Sequence, residues 1–134
     1  MSGEHPVAAV INTSPDVIEL LRRVLEWAGF VVVSTLTYQI RDGVVDFGSF
    51  LQQHNPDVVV YDIAPPYEAN WNLFLHLSQT AAMRGRNVVL TSTNANQVEG
   101  LRRPGEKILE IVGKPFDLDE IVRAVKEAAR TRPI

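Results

Sequence analysis

Three reactive side chains stand at the ends of short runs of β-branched residues. Asp62 follows Val58–Tyr61 (VVVY), Thr91 closes Val88–Thr91 (VVLT), and Lys114 comes just after Ile108–Val112 (ILEIV). A carboxylate, a hydroxyl and an ammonium brought to one place suit phosphoryl transfer. The carboxylate is the nucleophile that takes up the phosphoryl group, while the hydroxyl and the ammonium stabilise its charged equatorial oxygens. The run Val7–Ile11 (VAAVI) is followed by Asn12 and Thr13, neither of them charged, and Ser92 stands beside Thr91. Tyr67, Glu68 and Asn70 are expected in the loop beyond Asp62, where they could bear on access to it, although nothing in the sequence fixes their direction. Asp16 falls in the first turn of a helical pattern, where favourable interaction with the helix amides and dipole is its simplest role. The histidines His5, His54 and His76 show no metal-ligand spacing and read as surface residues. No GxGxxG, no GxxxxGK[ST] and no Gly-x-Ser-x-Gly elbow occurs, which gives the common nucleotide-binding and hydrolase signatures no footing.

The reactive residues meet only if the runs are parallel strands. Runs apolar at every position suit strands buried on both faces, and Phe30–Ser34 (FVVVS) is another. Glu110 interrupts the last run, which predicts an edge. Between the strands, Pro15–Ala28 has a helical stripe of Val17, Leu20, Leu21, Val24, Leu25 and Ala28, with Ser14 as N-cap, Pro15 in the first turn and Gly29 at the exit. A final helix runs from Leu118 to about Arg130 on Leu118, Ile121, Val122 and Val125, with Asp117 and Glu120 as a capping box. Phe47–Gln53 is a short amphipathic segment, Trp71–Met83 a longer helix, and Asn94–Lys107 a short or irregular one because of Gly100, Pro104 and Gly105. Trp27 and Trp71 sit on helical patterns and read as packing residues, with Trp71 near enough to Asp62 to report on it.

The alternation predicts a three-layer α/β sandwich: a five-stranded parallel sheet of order 2-1-3-4-5, flavodoxin-like, with right-handed crossovers. Ligands then bind beyond the carboxyl ends of the strands, where Asp62, Thr91 and Lys114 stand. The 134 residues suit one domain, 1–134, with an ordered core of about 6–130. With 46% hydrophobic and 22% charged residues the chain is globular rather than disordered. It has no cysteine, hence no disulfide, thiolate metal site or cysteine nucleophile. The absence of a signal-peptide pattern and of a bilayer-spanning run leads to the expectation of a cytoplasmic protein. A net charge of -3 speaks against direct nucleic-acid binding.

Taken together, VVVYDIAPP around Asp62, VLTS around Thr91, GKPFDLDEIVRAV around Lys114 and the opening INTSPDVIELLRRVLEWAGF resemble the receiver domain of two-component response regulators over nearly the whole chain. The resemblance implies Asp62 as phosphoacceptor, Thr91 as the switch hydroxyl, Lys114 as the phosphoryl contact and Lys114–Pro115 as a cis peptide bond. It implies a histidine kinase or phosphotransfer protein as donor, a homodimer as one form of assembly, and no enzymatic activity beyond self-phosphorylation and dephosphorylation of Asp62. Mg²⁺ would be held by Asp62, the Ala64 carbonyl and a residue of the pair after the first strand. Here Asn12-Thr13 replaces the family's acidic pair, so this metal site is weakened, and Ile111 stands where the family has an aromatic switch residue. These departures support an alternative, a pseudo-receiver that acts as a phosphorylation-independent protein-interaction module. A small-ligand or flavin-binding flavodoxin-like enzyme is the outsider.

Overall fold

Residues of alternate parity on each strand enter opposite layers, which is why the apolar runs are continuous. The computed structural model describes residues 5–101, 108–113 and 118–130, the side chains of 108–113 excepted. Strands β1 (Val7–Asn12), β2 (Val31–Leu36), β3 (Val58–Asp62), β4 (Asn87–Ser92) and β5 (Ile108–Gly113) form one parallel sheet in the order β2-β1-β3-β4-β5. Helices α1 (Pro15–Trp27) and α6 (Leu118–Arg130) cover one face; α2 (Thr37–Arg41), α3 (Phe47–His54), α4 (Tyr67–Ser78) and α5 (Ala95–Leu101) cover the other. Ala8, Val10, Val58, Val60 and Val89 meet Ile18, Leu21 and Leu25 of α1 and Ile121 and Val125 of α6. Ala9, Ile11, Val59, Tyr61 and Leu90 meet Phe47 and Leu51 of α3, Trp71 and Phe74 of α4 and Val98 of α5. The fold is flavodoxin-like.

Local chemistry sets the element ends. The Ser14 hydroxyl accepts the Val17 N–H at 3.2 Å and Pro15 opens α1; Gly29 leaves it at φ 102°, a conformation that costs glycine little. The outer face of α1 differs from the sequence expectation. Ile18 turns inward with Leu21 and Leu25, whereas Leu20 is 43% and Trp27 92% exposed, so Trp27 is not a packing residue. The cause is rotational: Ile18, Leu21 and Leu25 follow the i, i+3, i+7 line that faces the sheet, and Trp27 ends the helix off that line. In α6 the buried line is Ile121, Ala124, Val125 and Ala128, leaving Leu118 39% exposed; Asp117 of the expected capping box lies outside the described residues. Helix α4 starts at Tyr67, four residues earlier than the Trp71 stripe predicts, and ends at Ser78, with Ala81–Met83 a separate 3₁₀ turn. Pro66 precedes it with a fixed φ and Glu68 sits in the first turn, which favours an early start. The one-turn helix α2 was not legible in the apolar pattern; Gln39 Oε1 holds it by accepting the Leu36 N–H at 3.2 Å.

At the edge strand β2, Arg22 reaches across from α1 and donates to the Val32 carbonyl at 2.8 Å and the Ser34 hydroxyl at 2.9 Å. A charged side chain over an edge hinders pairing with another chain.

Tyr61 of β3 is fully buried, and its hydroxyl has no hydrogen-bond partner among the described residues. Burial, with a smaller contribution from neighbouring Asp62, holds its phenol well above the ordinary tyrosine range. Above pH ~10 the unfolded chain therefore releases a proton that the folded chain keeps, so stability falls as pH rises, by up to about 1.4 kcal/mol per unit. Tyr61→Phe removes this loss. It is expected to be neutral or to stabilise by about 1 kcal/mol near pH 8, since it deletes an unsatisfied buried group, with a larger advantage at pH 11. Urea midpoints at the two pH values check both parts.

Candidate functional site

The carboxyl ends of the central strands bring three of the sequence-identified residues to one side of the sheet. Asp62 continues the parity of Val58 and Val60, Thr91 that of Val89, and Asn12 that of Ala8 and Val10, so all three project toward the α1/α6 layer. Register places Asp62 opposite Thr91 on β4. The Thr91 hydroxyl donates to Asp62 Oδ1 at 2.6 Å, in surroundings that leave Asp62 2% and Thr91 1% exposed. A short, buried bond of this kind fixes both side chains. Asp62 makes a further interaction besides this bond.

Asn12 is 1% exposed, and its Oδ1 accepts the Ser14 N–H at 3.0 Å, bracing the turn into α1. The Ala64 carbonyl accepts Asn70 Nδ2 at 2.7 Å. Ser92 stitches the loops: its hydroxyl donates to the Ile63 carbonyl at 2.9 Å and accepts the Asn94 N–H at 3.2 Å. Asn94 Oδ1 in turn accepts the Gln97 N–H at 3.2 Å at the start of α5. Asp16 is exposed in the first turn of α1, in keeping with a helix-terminal role.

Lys114 and Pro115 lie outside the described residues, as does the side chain of Ile111, whose backbone is in β5. The cis bond described by the structure is Pro65-Pro66, which the sequence reading missed. Trp71 is buried in the layer opposite the one Asp62 faces, with its ring 5.6 Å from that of Phe74, so it is a packing residue and not a reporter on Asp62. His5 and His76 are exposed; His54 is half-buried, its ring 4.8 Å from that of Phe50, and is less a surface residue than expected. Tyr67, Glu68 and Asn70 stand on α4 rather than in a loop. The Tyr67 hydroxyl lies 2.6 Å from Thr93 Oγ1, a contact without a sequence signature.

The architecture has many solved counterparts. A response regulator from Thermotoga maritima superposes with a TM-score of 0.72 at 20% identity, over 95% of this chain and 99% of that one. A sensor protein from Polaromonas sp. JS666 gives 0.73 at 18% identity, over 92% and 95%. A response regulator receiver domain from Methylobacillus flagellatus gives 0.66 at 16% identity, over 92% and 98%. The chain has a receiver fold. No protein-family model matches the sequence, and no curated protein does. In the receiver fold described here, Asp62 and Thr91 occupy the carboxyl ends of β3 and β4, the place where ligands bind in open parallel sheets. Among the described residues no helix is long and apolar enough to cross a membrane.

Proposed function

We propose that this chain is a receiver module of two-component signalling, with Asp62 as acceptor of a phosphoryl group from a histidine kinase or phosphotransfer protein. The observation that carries this reading is the buried Thr91–Asp62 hydrogen bond at the carboxyl end of the sheet. In the transfer an Asp62 carboxylate oxygen attacks phosphorus, the P–N bond to the donor imidazole breaks, and the imidazole leaves with the electron pair of that bond. Thr91 then turns its hydroxyl from the carboxylate to an oxygen of the new phosphoryl group, and Lys114 supplies the compensating positive charge. The change at Thr91 is the switch, read by a protein partner; Ile111 occupies the switch position but, being aliphatic, cannot make the large rotation of the family's aromatic residue. Catalysis goes no further than gain and loss of the phosphoryl group, direct nucleic-acid binding is not part of the role, and the setting is cytoplasmic.

The residues fit Mg²⁺ poorly. The cation prefers oxygen ligands in near-octahedral array, held through one or two carboxylates. The neutral Asn12 and Ala64 oxygens already accept hydrogen bonds, and no group of three His, Asp or Glu residues suited to a metal occurs among the described residues. That engagement favours a second reading, an interaction module that works without phosphorylation.

Intact mass after incubation with acetyl phosphate, in Mg²⁺ and in chelator, separates the two. The receiver reading expects one phosphoryl group on the chain and none on folded Asp62→Asn, with slow uptake that changes little on chelation. No uptake by the folded chain in either condition favours the interaction module, and fast uptake that depends wholly on Mg²⁺ contradicts the account of a poor metal site.

A further inference from the structure

Two loops leave the sheet beside the buried Asp62–Thr91 pair, one running from β3 into α4 and the other from β4 into α5. Three bonds cross between them at increasing distance from the core. The Ile63 N–H donates to the Thr91 carbonyl at 2.8 Å, the Ser92 hydroxyl to the Ile63 carbonyl at 2.9 Å, and Tyr67 meets Thr93 at 2.6 Å. The first ties backbone to backbone and the second is buried. The third joins a half-buried tyrosine to an exposed threonine, where water competes for both hydroxyls. Asn70, one turn along α4 from Tyr67, fixes the helix to the Ala64 carbonyl, so Tyr67 projects from a braced support. The outer bond is thus the one that opens most readily, while Asp62, at the strand end from which the first loop departs, is 2% exposed.

We propose that the Tyr67–Thr93 hydrogen bond is a latch between the two loops that leave the sheet at Asp62 and Thr91, and that it sets how readily a small reagent, and hence a phosphodonor, reaches Asp62. The role toward phosphodonors rests on the reading of Asp62 as acceptor; the role in access does not. Tyr67 acts here as a positioning residue. Closed, it holds the two loops together; open, it lets them part without disturbing the inner bonds.

Tyr67→Phe removes the hydroxyl and keeps the ring. The test measures labelling of carboxyl groups in the whole chain by a water-soluble carbodiimide with glycine ethyl ester, read residue by residue by mass spectrometry. Relative to exposed Asp16 and Asp42, Asp62 should label about threefold or more faster in the Phe variant, because the closed state no longer dominates. Thr93→Val should give the same increase, and the double variant no more than either alone. Equal Asp62 labelling in wild type and both single variants overturns the latch, whatever acetyl phosphate does. Faster labelling in the variants together with no phosphorylation of any form upholds the latch and removes the acceptor reading on which its role toward phosphodonors rests.

Discussion

Asn12→Asp is expected to lower the melting temperature by roughly 10 °C in chelator and to recover much of it in millimolar Mg²⁺. Ile11 pairs with Tyr61, so position 12 follows in register beside Asp62, about 5 Å away across the strand spacing. Both side chains are buried, at 1% and 2% exposure. Two carboxylates at that separation repel by about 3 kcal/mol at the effective dielectric of a protein site, a large share of a stability of about 5–15 kcal/mol. The Ser14 N–H can still be bonded by a carboxylate oxygen, so the loss reports charge rather than a broken turn. A dication that binds the folded state through the new pair offsets the repulsion by mass action. Wild type, with its neutral Asn12, should show little change in melting temperature with Mg²⁺. A variant as stable as wild type in chelator, with no response to Mg²⁺, would show that positions 12 and 62 do not share a site.

Arg86→Met is expected to cost about 2–3 kcal/mol at the opposite end of the sheet, with folding retained. The guanidinium donates to the Ala82 carbonyl at 2.7 Å, the Pro56 carbonyl at 3.0 Å, Asn55 Oδ1 at 3.1 Å and the Leu51 carbonyl at 3.4 Å. It therefore joins the end of α3, the approach to β3 and the 3₁₀ turn before β4. Partial burial lowers its pKa, opposed by attraction to Asp57. Methionine fills similar space but leaves these carbonyls without their donor. Arg86→Lys should recover only a minor part, because one ammonium cannot reproduce a planar fork. Denaturant midpoints of the three forms measure this. Full recovery by lysine would mean that charge, and not geometry, matters at this position.

The central strands β1, β3 and β4 were legible because they are buried on both faces, so that VAAVI, VVVY and VVLT run apolar with almost no polar interruption. Helix α1 was legible from Ser14, Pro15 and Gly29, which state their backbone preferences locally. Less legible was which side of α1 turns inward, since Leu20 and Ile18 are equally apolar and the choice is made by the sheet. Trp27 shows the same ambiguity at a helix end, where periodicity no longer constrains a side chain. That Asp62 and Thr91 would lie side by side was legible because the end of a parallel strand has a known address in space. Tyr67–Thr93 and the Arg86 fork were not legible, because each joins segments about thirty residues apart that meet only in three dimensions. The bond of Ser92 to the Ile63 carbonyl was not legible either, since a hydroxyl in a strand carries no sign of the carbonyl it will meet.

The most direct test of the account is to locate the phosphoryl group. The folded chain is incubated with phosphoramidate, whose P–N bond matches that of phosphohistidine, then reduced with borohydride and mapped by peptide mass. An acyl phosphate at Asp62 is reduced to homoserine at position 62, and the account predicts that product in wild type, in smaller yield in Thr91→Val, and nowhere else in the chain. No reduced residue at position 62 in wild type shown to be folded, or the phosphoryl group on another side chain, would contradict the assignment of Asp62 as acceptor.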